Sequence, residues 1–339
     1  MARQTQTLSI LLVLQIALAA ILFFTETDSG AFGSKEKLLD LKFDSLDKIV
    51  IEEAEKKTLV LQRQDKNWKL PGYFDFPASR EKLERVFGKL FETTVGWPVA
   101  TTESAEKRFK VAGDAFERKL AFSSAAASKT LYLGTSPGFK KIHARIDAET
   151  TIYGIDFSAY QASTKPIDWA DQAILHVPRE ELNAIEIAGL VIKKVGGKFV
   201  VEGLAEGEEA VEPEIQTLLG SVSTLGFQEV LGKKDDPSYQ IGSPALELTL
   251  VKKDGQRLGY RYAKRKDREE YVLKPSNSDY YFSVPKYNLD SLLEFNRQKL
   301  VNAAAAKTPE TKAEPTQPAV SPEGNPKAPA PMKAENKSG

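Results

Sequence analysis

Gly134-Thr135-Ser136-Pro137-Gly138 fits the G-x-S-x-G pattern of a serine nucleophile elbow. That elbow needs a strand before the serine, a helix after it, and the next residue's N–H in the oxyanion hole. Pro137 has no N–H to offer, and Lys141 to Ile146 reads as a strand. The spacing therefore predicts a turn between two strands. His143 and His176 lack metal-ligand spacing and fall in different structural units. The chain has no cysteine, which excludes disulfides, thiolate zinc sites and a cysteine nucleophile. No glycine-rich phosphate loop is present, and no pair of acids stands out as a general acid/base couple. The sequence thus assigns no catalytic, cofactor-binding or metal-binding residue, and the expectation is a protein that is not an enzyme.

The residues with the strongest binding chemistry lie late in the chain. Tyr260, Tyr262, Tyr271 and Tyr281 stand near Tyr280, Phe282 and Tyr287. Aromatics on neighbouring strands commonly pair across a sheet, but they also suit a sugar or peptide. The charged run Lys264-Arg265-Lys266-Asp267-Arg268-Glu269-Glu270 separates two of these strands. It reads as a solvated hairpin tip, or as an anion contact weakened by its own acids. Tyr260, Tyr262, Tyr271, Tyr281, Lys264 and Arg265 form the candidate binding surface. Lysine plus arginine equals aspartate plus glutamate, so the net charge is zero, which argues against a nucleic-acid partner.

The elements that hold these residues occur twice. Leu46 to Ile51 and Leu182 to Ile187 both alternate apolar and polar, as half-buried strands do. Hairpins follow around Asp65-Lys66-Asn67 and Gly196-Gly197, with Trp68 and Phe199 in matching places. Helices are expected from Ser79 to Phe91 and from Glu212 to Leu225. Leu83, Val86, Phe87 and Leu90 form one apolar stripe; Ile215, Leu218, Leu219 and Val222 form the other. Then Lys119-Leu120-Ala121-Phe122 matches Leu248-Thr249-Leu250-Val251. Ser123 to Lys129 reads as a long loop opposite the tight Lys253 to Gln256 turn. Leu131 to Gly134 pairs with Tyr260 to Ala263, Ala144 to Ile146 with Tyr271 to Leu273, and Ile152 to Ile155 with Tyr281 to Val284. The fold class expected is α+β: two tandem repeats, each a mainly antiparallel sheet under one long helix. Trp169 and Ile167 are expected to pack between them.

Leu8 to Phe24 is an apolar run, preceded by Arg3 and followed by Glu26 and Asp28. This predicts an N-terminal transmembrane signal anchor, with the N-terminus in the cytoplasm and the body in the periplasm or outside. Residues 1–34 are then anchor and linker, 35–165 the first repeat, and 166–300 the second. Residues 301–339, rich in Ala, Pro, Lys and Glu, form a disordered tail.

Trp68-Lys69-Leu70, the Ser79 helix with its stripe, Leu131 to Gly134, Ala144 to Ile146 and Ile152 to Ile155 carry a family resemblance. With Trp169 to Leu175 as a junction, the stretch from Leu38 to Phe295 resembles the bacterial domain-of-unknown-function family numbered 4340. The resemblance implies a single-span inner-membrane protein near auxiliary proteins and permeases of gliding-motility-type ABC systems; it supplies no catalytic residues. The leading expectation is a membrane-anchored, non-catalytic accessory or scaffold protein. Its partners would be the bilayer and an ABC-type permease or auxiliary subunit. The alternative is a glycan- or peptidoglycan-binding module, and a third reading is a serine hydrolase using Ser136.

Overall fold

The computed structural model describes residues 36–303, apart from Lys56 and Asp267, together with Leu12 and Gln15. The Leu8 to Phe24 run, but for those two residues, and the tail beyond Ala303 lie outside the described residues. No helix among the described residues is long and apolar enough to cross a membrane.

Two eight-stranded antiparallel sheets form the framework of the described residues. The first contains β1 (Lys48–Glu53), β2 (Thr58–Gln64), β3 (Asn67–Leu70), β4 (Phe76–Pro77), β5 (Arg118–Ser123), β6 (Ser128–Leu133), β7 (Ile142–Ile146) and β8 (Ile152–Ile155). Their spatial order is β8-β7-β6-β5-β1-β2-β3-β4. The second contains β9 (Leu182–Ile187), β10 (Leu190–Val195), β11 (Lys198–Val201), β12 (Glu229–Gly232), β13 (Leu246–Lys252), β14 (Arg257–Lys264), β15 (Glu270–Pro275) and β16 (Tyr281–Pro285). Its order is β11-β10-β9-β13-β14-β15-β16-β12. Seven strands thus follow one order in both sheets. The eighth differs: β4 extends the first sheet beside β3, whereas β12 extends the second beside β16.

Short turns explain the antiparallel pairing. Asp65 takes a positive φ between β2 and β3, and Gly196 and Gly197 do so between β10 and β11. The loop read as Ser123 to Lys129 is shorter in the structure. Ser123 and Ser128 pair within β5 and β6, and the Ser124 hydroxyl closes the turn on Ala127. Each sheet carries one long helix on its apolar face, and the second also packs the shorter Lys286–Leu293 helix through Leu289 and Leu292. Helix α1 spans residues 80–91, with a π turn at Glu84–Gly88, and Ser79 caps it through Lys82 N. Leu83, Val86, Phe87 and Leu90 are buried as expected, and the π turn brings Phe91 in beside Phe122. The second sheet's long helix spans Glu212–Ser223 and buries Ile215, Leu218, Leu219 and Val222.

The seam between the sheets lies where their eighth strands meet. Phe76 packs edge-on against Phe227, Tyr280 and Phe282. Val230 N–H donates to the Tyr73 hydroxyl at 2.7 Å. The Phe74 ring covers Gly232, where a Cβ would stand 3.1 Å from it. Trp169 is buried, but its ring stacks on Phe87 of α1 and its indole N–H donates to Ser163. It therefore belongs to the first sheet's core, and Phe76 takes the bridging place expected for it.

Register corrects two of the sequence pairings. Ile51 sits opposite Leu120, and Ile187 opposite Leu248, so Leu120 and not Lys119 corresponds to Leu248. A one-residue slip would exchange the two faces of the strand. Leu133 sits opposite Ala144 and Tyr262 opposite Leu273, so Ala144 corresponds to Leu273 rather than Tyr271.

Candidate functional site

The six residues expected to form a binding surface do not share one. Tyr260 and Tyr262 are buried on the core face of β14, and Tyr271 is buried on the core face of β15. Tyr281 points to the opposite face of the sheet, where Tyr239 covers it. Period-two alternation separates Tyr281 from Phe282 in this way. Burial pushes the Tyr260 hydroxyl up to about 12 and raises that of Tyr262 as well, since a phenolate would lack water there. Lys264 is exposed and lies 3.6 Å from Glu269. Arg265 is half-buried, donates to Glu270 at 3.0 Å and lies over the Tyr239 ring. These cations are held by acids of their own turn.

The G-x-S-x-G segment is a turn between β6 and β7. The Ser136 hydroxyl faces two carbonyls of that turn, Gly138 at 2.8 Å and Lys141 at 2.5 Å. Gly134 is there because the backbone of Phe109 and Lys110 crosses it; a Cβ would fall 1.9 Å from the Phe109 carbonyl oxygen. His143 directs Nδ1 to the Thr135 hydroxyl at 2.9 Å, not to Ser136, and lies against Phe109. Burial holds its pKa below the usual imidazole value, with a hydrogen bond to Thr135 opposing that shift. His176 pairs with Thr224 on the other half. The described residues contain no group of acids and histidines placed to hold a metal.

A cleft of ≈ 340 Å³ opens beside this turn. It lies between the ends of β1, β5, β6 and β7 and the segment following β8. Ile142 and Phe157 are buried in its wall, Tyr160 and Lys140 stand at its rim, and Arg118 and Glu53 lie within it. Arg118 falls on the core face of β5, in phase with Leu120 and Phe122, and is only 8% exposed. Its Cα partner across the sheet is Glu53, in phase with Ile49 and Ile51. The Arg118 Nη1 and Glu53 Oε1 form an ion pair at 3.2 Å. Nε is buried with no hydrogen-bond acceptor among the described residues, while Nη1 faces Glu53. Glu53 also accepts from the Thr164 hydroxyl at 3.0 Å. Burial by itself would raise the Glu53 pKa; that hydrogen bond and the Arg118 charge outweigh it and hold the carboxyl below its usual range.

Sequence reasoning missed this pair, although a signal was present. Arginine in the phase of Leu120 and Phe122 is an ionisable residue at a core position, which is rare unless it is paired.

Fold and cleft together define a sheet-rich α+β protein with an internal charged pair beside an open, aromatic-rimmed cleft. The chain belongs to the family called domain of unknown function 4340, whose model matches residues 68–244, more than half of it. No curated protein and no solved structure matches the chain.

Proposed function

We propose that this protein works by binding rather than by chemistry, as a membrane-tethered extracytoplasmic accessory or scaffold subunit of an ABC-type transport assembly. One observation carries the binding reading: the rim of the Arg118 cleft. Tyr160, 92% exposed, lines the cleft with Lys140 and Lys141, and Phe139, 88% exposed, directly precedes Lys140 in the chain. Large aromatics exposed beside cations are typical of recognition surfaces. The engagement of Ser136 within its own turn supports the non-catalytic half of the reading. The apolar Leu8 to Phe24 run supports the tether.

Affinity capture of the full chain from detergent-solubilised membranes, at native abundance, tests this. The expected result is co-purification of a permease or its auxiliary subunit, reduced by Phe139→Ala with Tyr160→Ala. Recovery of the chain alone would overturn it. A reporter active only outside the cytoplasm, fused after Gly30, should be active. A serine-reactive probe should label wild type and Ser136→Ala alike.

We further infer that the body is a duplicated unit behind an N-terminal transmembrane helix. The shared order of seven strands supports the duplication. An experimental structure in which those strands fail to superpose one for one would refute it.

A further inference from the structure

We propose that the Arg118 cleft binds an oxyanion, a carboxylate or phosphate group carried on a small, partly apolar molecule. The starting point is the Arg118 guanidinium at the cleft: its buried Nε has no acceptor among the described residues, and its Nη1 faces only the Glu53 carboxylate. A buried donor without an acceptor costs about 1–3 kcal/mol, more when charged, and native structures leave few.

The protein itself supplies the contrast. Arg145 is 5% exposed, almost as buried as Arg118. Its Nε donates to Val111 at 2.8 Å, and its Nη1 donates to Glu149 at 2.7 Å and Ile146 at 3.2 Å. Its Nη2 lies 3.3 Å from Glu106. Arg145 is a completed structural arginine; Arg118 is not.

Packing does not demand an arginine at this place either. The corresponding position of the second sheet, by register, is the buried Leu246. The charge at 118 is therefore an addition to the shared scaffold, made where a cleft opens.

The cleft's chemistry suits the ligand. Arg118, Lys140 and Lys141 line it against Glu53 and Glu117. Glu117 is bound by Lys110, Lys141 is paired with Asp156, and Glu53 is fixed by Thr164 and faces Arg118. Lys140 has a positive φ of 56°, and its ammonium lies 5.0 Å from the ring centroid of the exposed Phe139. With the outside partners Lys110 and Asp156 counted, four cations face three carboxylates, which leaves a single net positive charge around the cleft. Guanidinium donors match the geometry of carboxylate and phosphate oxygens. Ile142, Phe157 and Tyr160 supply an apolar wall for the rest of the molecule. The volume is that of a small-molecule pocket.

The proposal does not rest on the transport reading. Its test is thermal-shift and calorimetric titration of the purified full chain with inorganic phosphate and, separately, with butyrate. At least one probe should raise the melting temperature saturably, and Arg118→Leu should weaken it by about tenfold or more. Leucine is the residue the second sheet carries there, so this variant should fold. Where it does not, Lys141→Gln on the exposed rim should weaken binding severalfold. A response to butyrate alone assigns a carboxylate, and a response to phosphate alone assigns a phosphate ester. The absence of any saturable shift, or equal shifts in wild type and both variants, overturns the proposal.

Discussion

The two sheets share an order of seven strands, yet at corresponding positions they carry opposite chemistry. Where β5 places Arg118, β13 places Leu246. Where β1 runs on to Glu53, the second sheet turns at Ala188 and Gly189, both at positive φ. Where Gly134 lies under the Phe109–Lys110 backbone, the second sheet has the buried Ala263. The shared positions, such as Ile49 and Ile185 or Leu120 and Leu248, are apolar and buried in both. The scaffold is thus held by common packing, while the first sheet also buries Arg118, His143 and Arg145 among its strands. In the second sheet Leu246 lies opposite Tyr262, and both are buried. The first half carries the cleft, and the second packs against the first through the Phe76 seam.

The largest effect is expected where the halves join. Phe76→Ala removes a fully buried ring that touches three aromatics of the second half. Loss of such a ring costs about 3–5 kcal/mol. Urea unfolding should shift to lower denaturant and split into two transitions, one for each sheet. A single transition at the wild-type midpoint would mean that the seam does not couple the halves.

Gly134→Ala and Ala263→Gly come next, because they exchange residues between corresponding positions. The first forces the Phe109 and Lys110 carbonyls away from β6, at about 3 kcal/mol. The second loses a methyl group and gains chain freedom, at about 1 kcal/mol. Equal effects would show that the crossing backbone is not what demands glycine in the first half.

Glu53→Gln probes the ion pair that only the first half possesses. The native Glu53 pKa is lowered, so the folded state binds fewer protons than the unfolded state in acid. Its stabilisation is complete above the ordinary unfolded value of about 4.3 and is lost as pH falls through the lowered native value. Wild type should therefore lose stability more steeply than Glu53→Gln on the acid side of that window, as read from urea midpoints. Parallel acid limbs would show that the pair contributes nothing to folding.

How much of this could be read from sequence follows from what is local. Hairpins at Asp65 and Gly196-Gly197 and the two helical stripes depend on neighbouring residues, and they were legible. Register was not. Arg118 interrupts the apolar phase of β5, so the strand looks as though it begins at Lys119, one residue late. The shift of two at Ala144 keeps every side chain on its proper face, so alternation cannot reveal it. The tyrosine cluster looked continuous because proximity in sequence ignores the sheet's two faces. The cleft was least legible of all. Glu53 meets Arg118 only because β1 and β5 are adjacent, and Thr164 reaches Glu53 across 111 residues of chain.

The smallest effect concerns His143, whose corresponding residue in β15 is the buried Val272. Burial depresses the His143 pKa, and the hydrogen bond to Thr135 restores only part of it. The unfolded chain takes up a proton near pH 6.5, while the folded chain resists it. The unfolded state therefore gains as pH falls through 6.5 toward the lowered native value, and the loss then levels off. His143→Val imports the second half's solution and should remove this slope, while giving up the contact with the Thr135 hydroxyl. The variant should be slightly less stable than wild type at pH 8, with the gap narrowing toward pH 5. A gap that is constant across this range would show that His143 titrates alike in both states, and that its burial among Phe109 and Thr135 is no constraint on its charge.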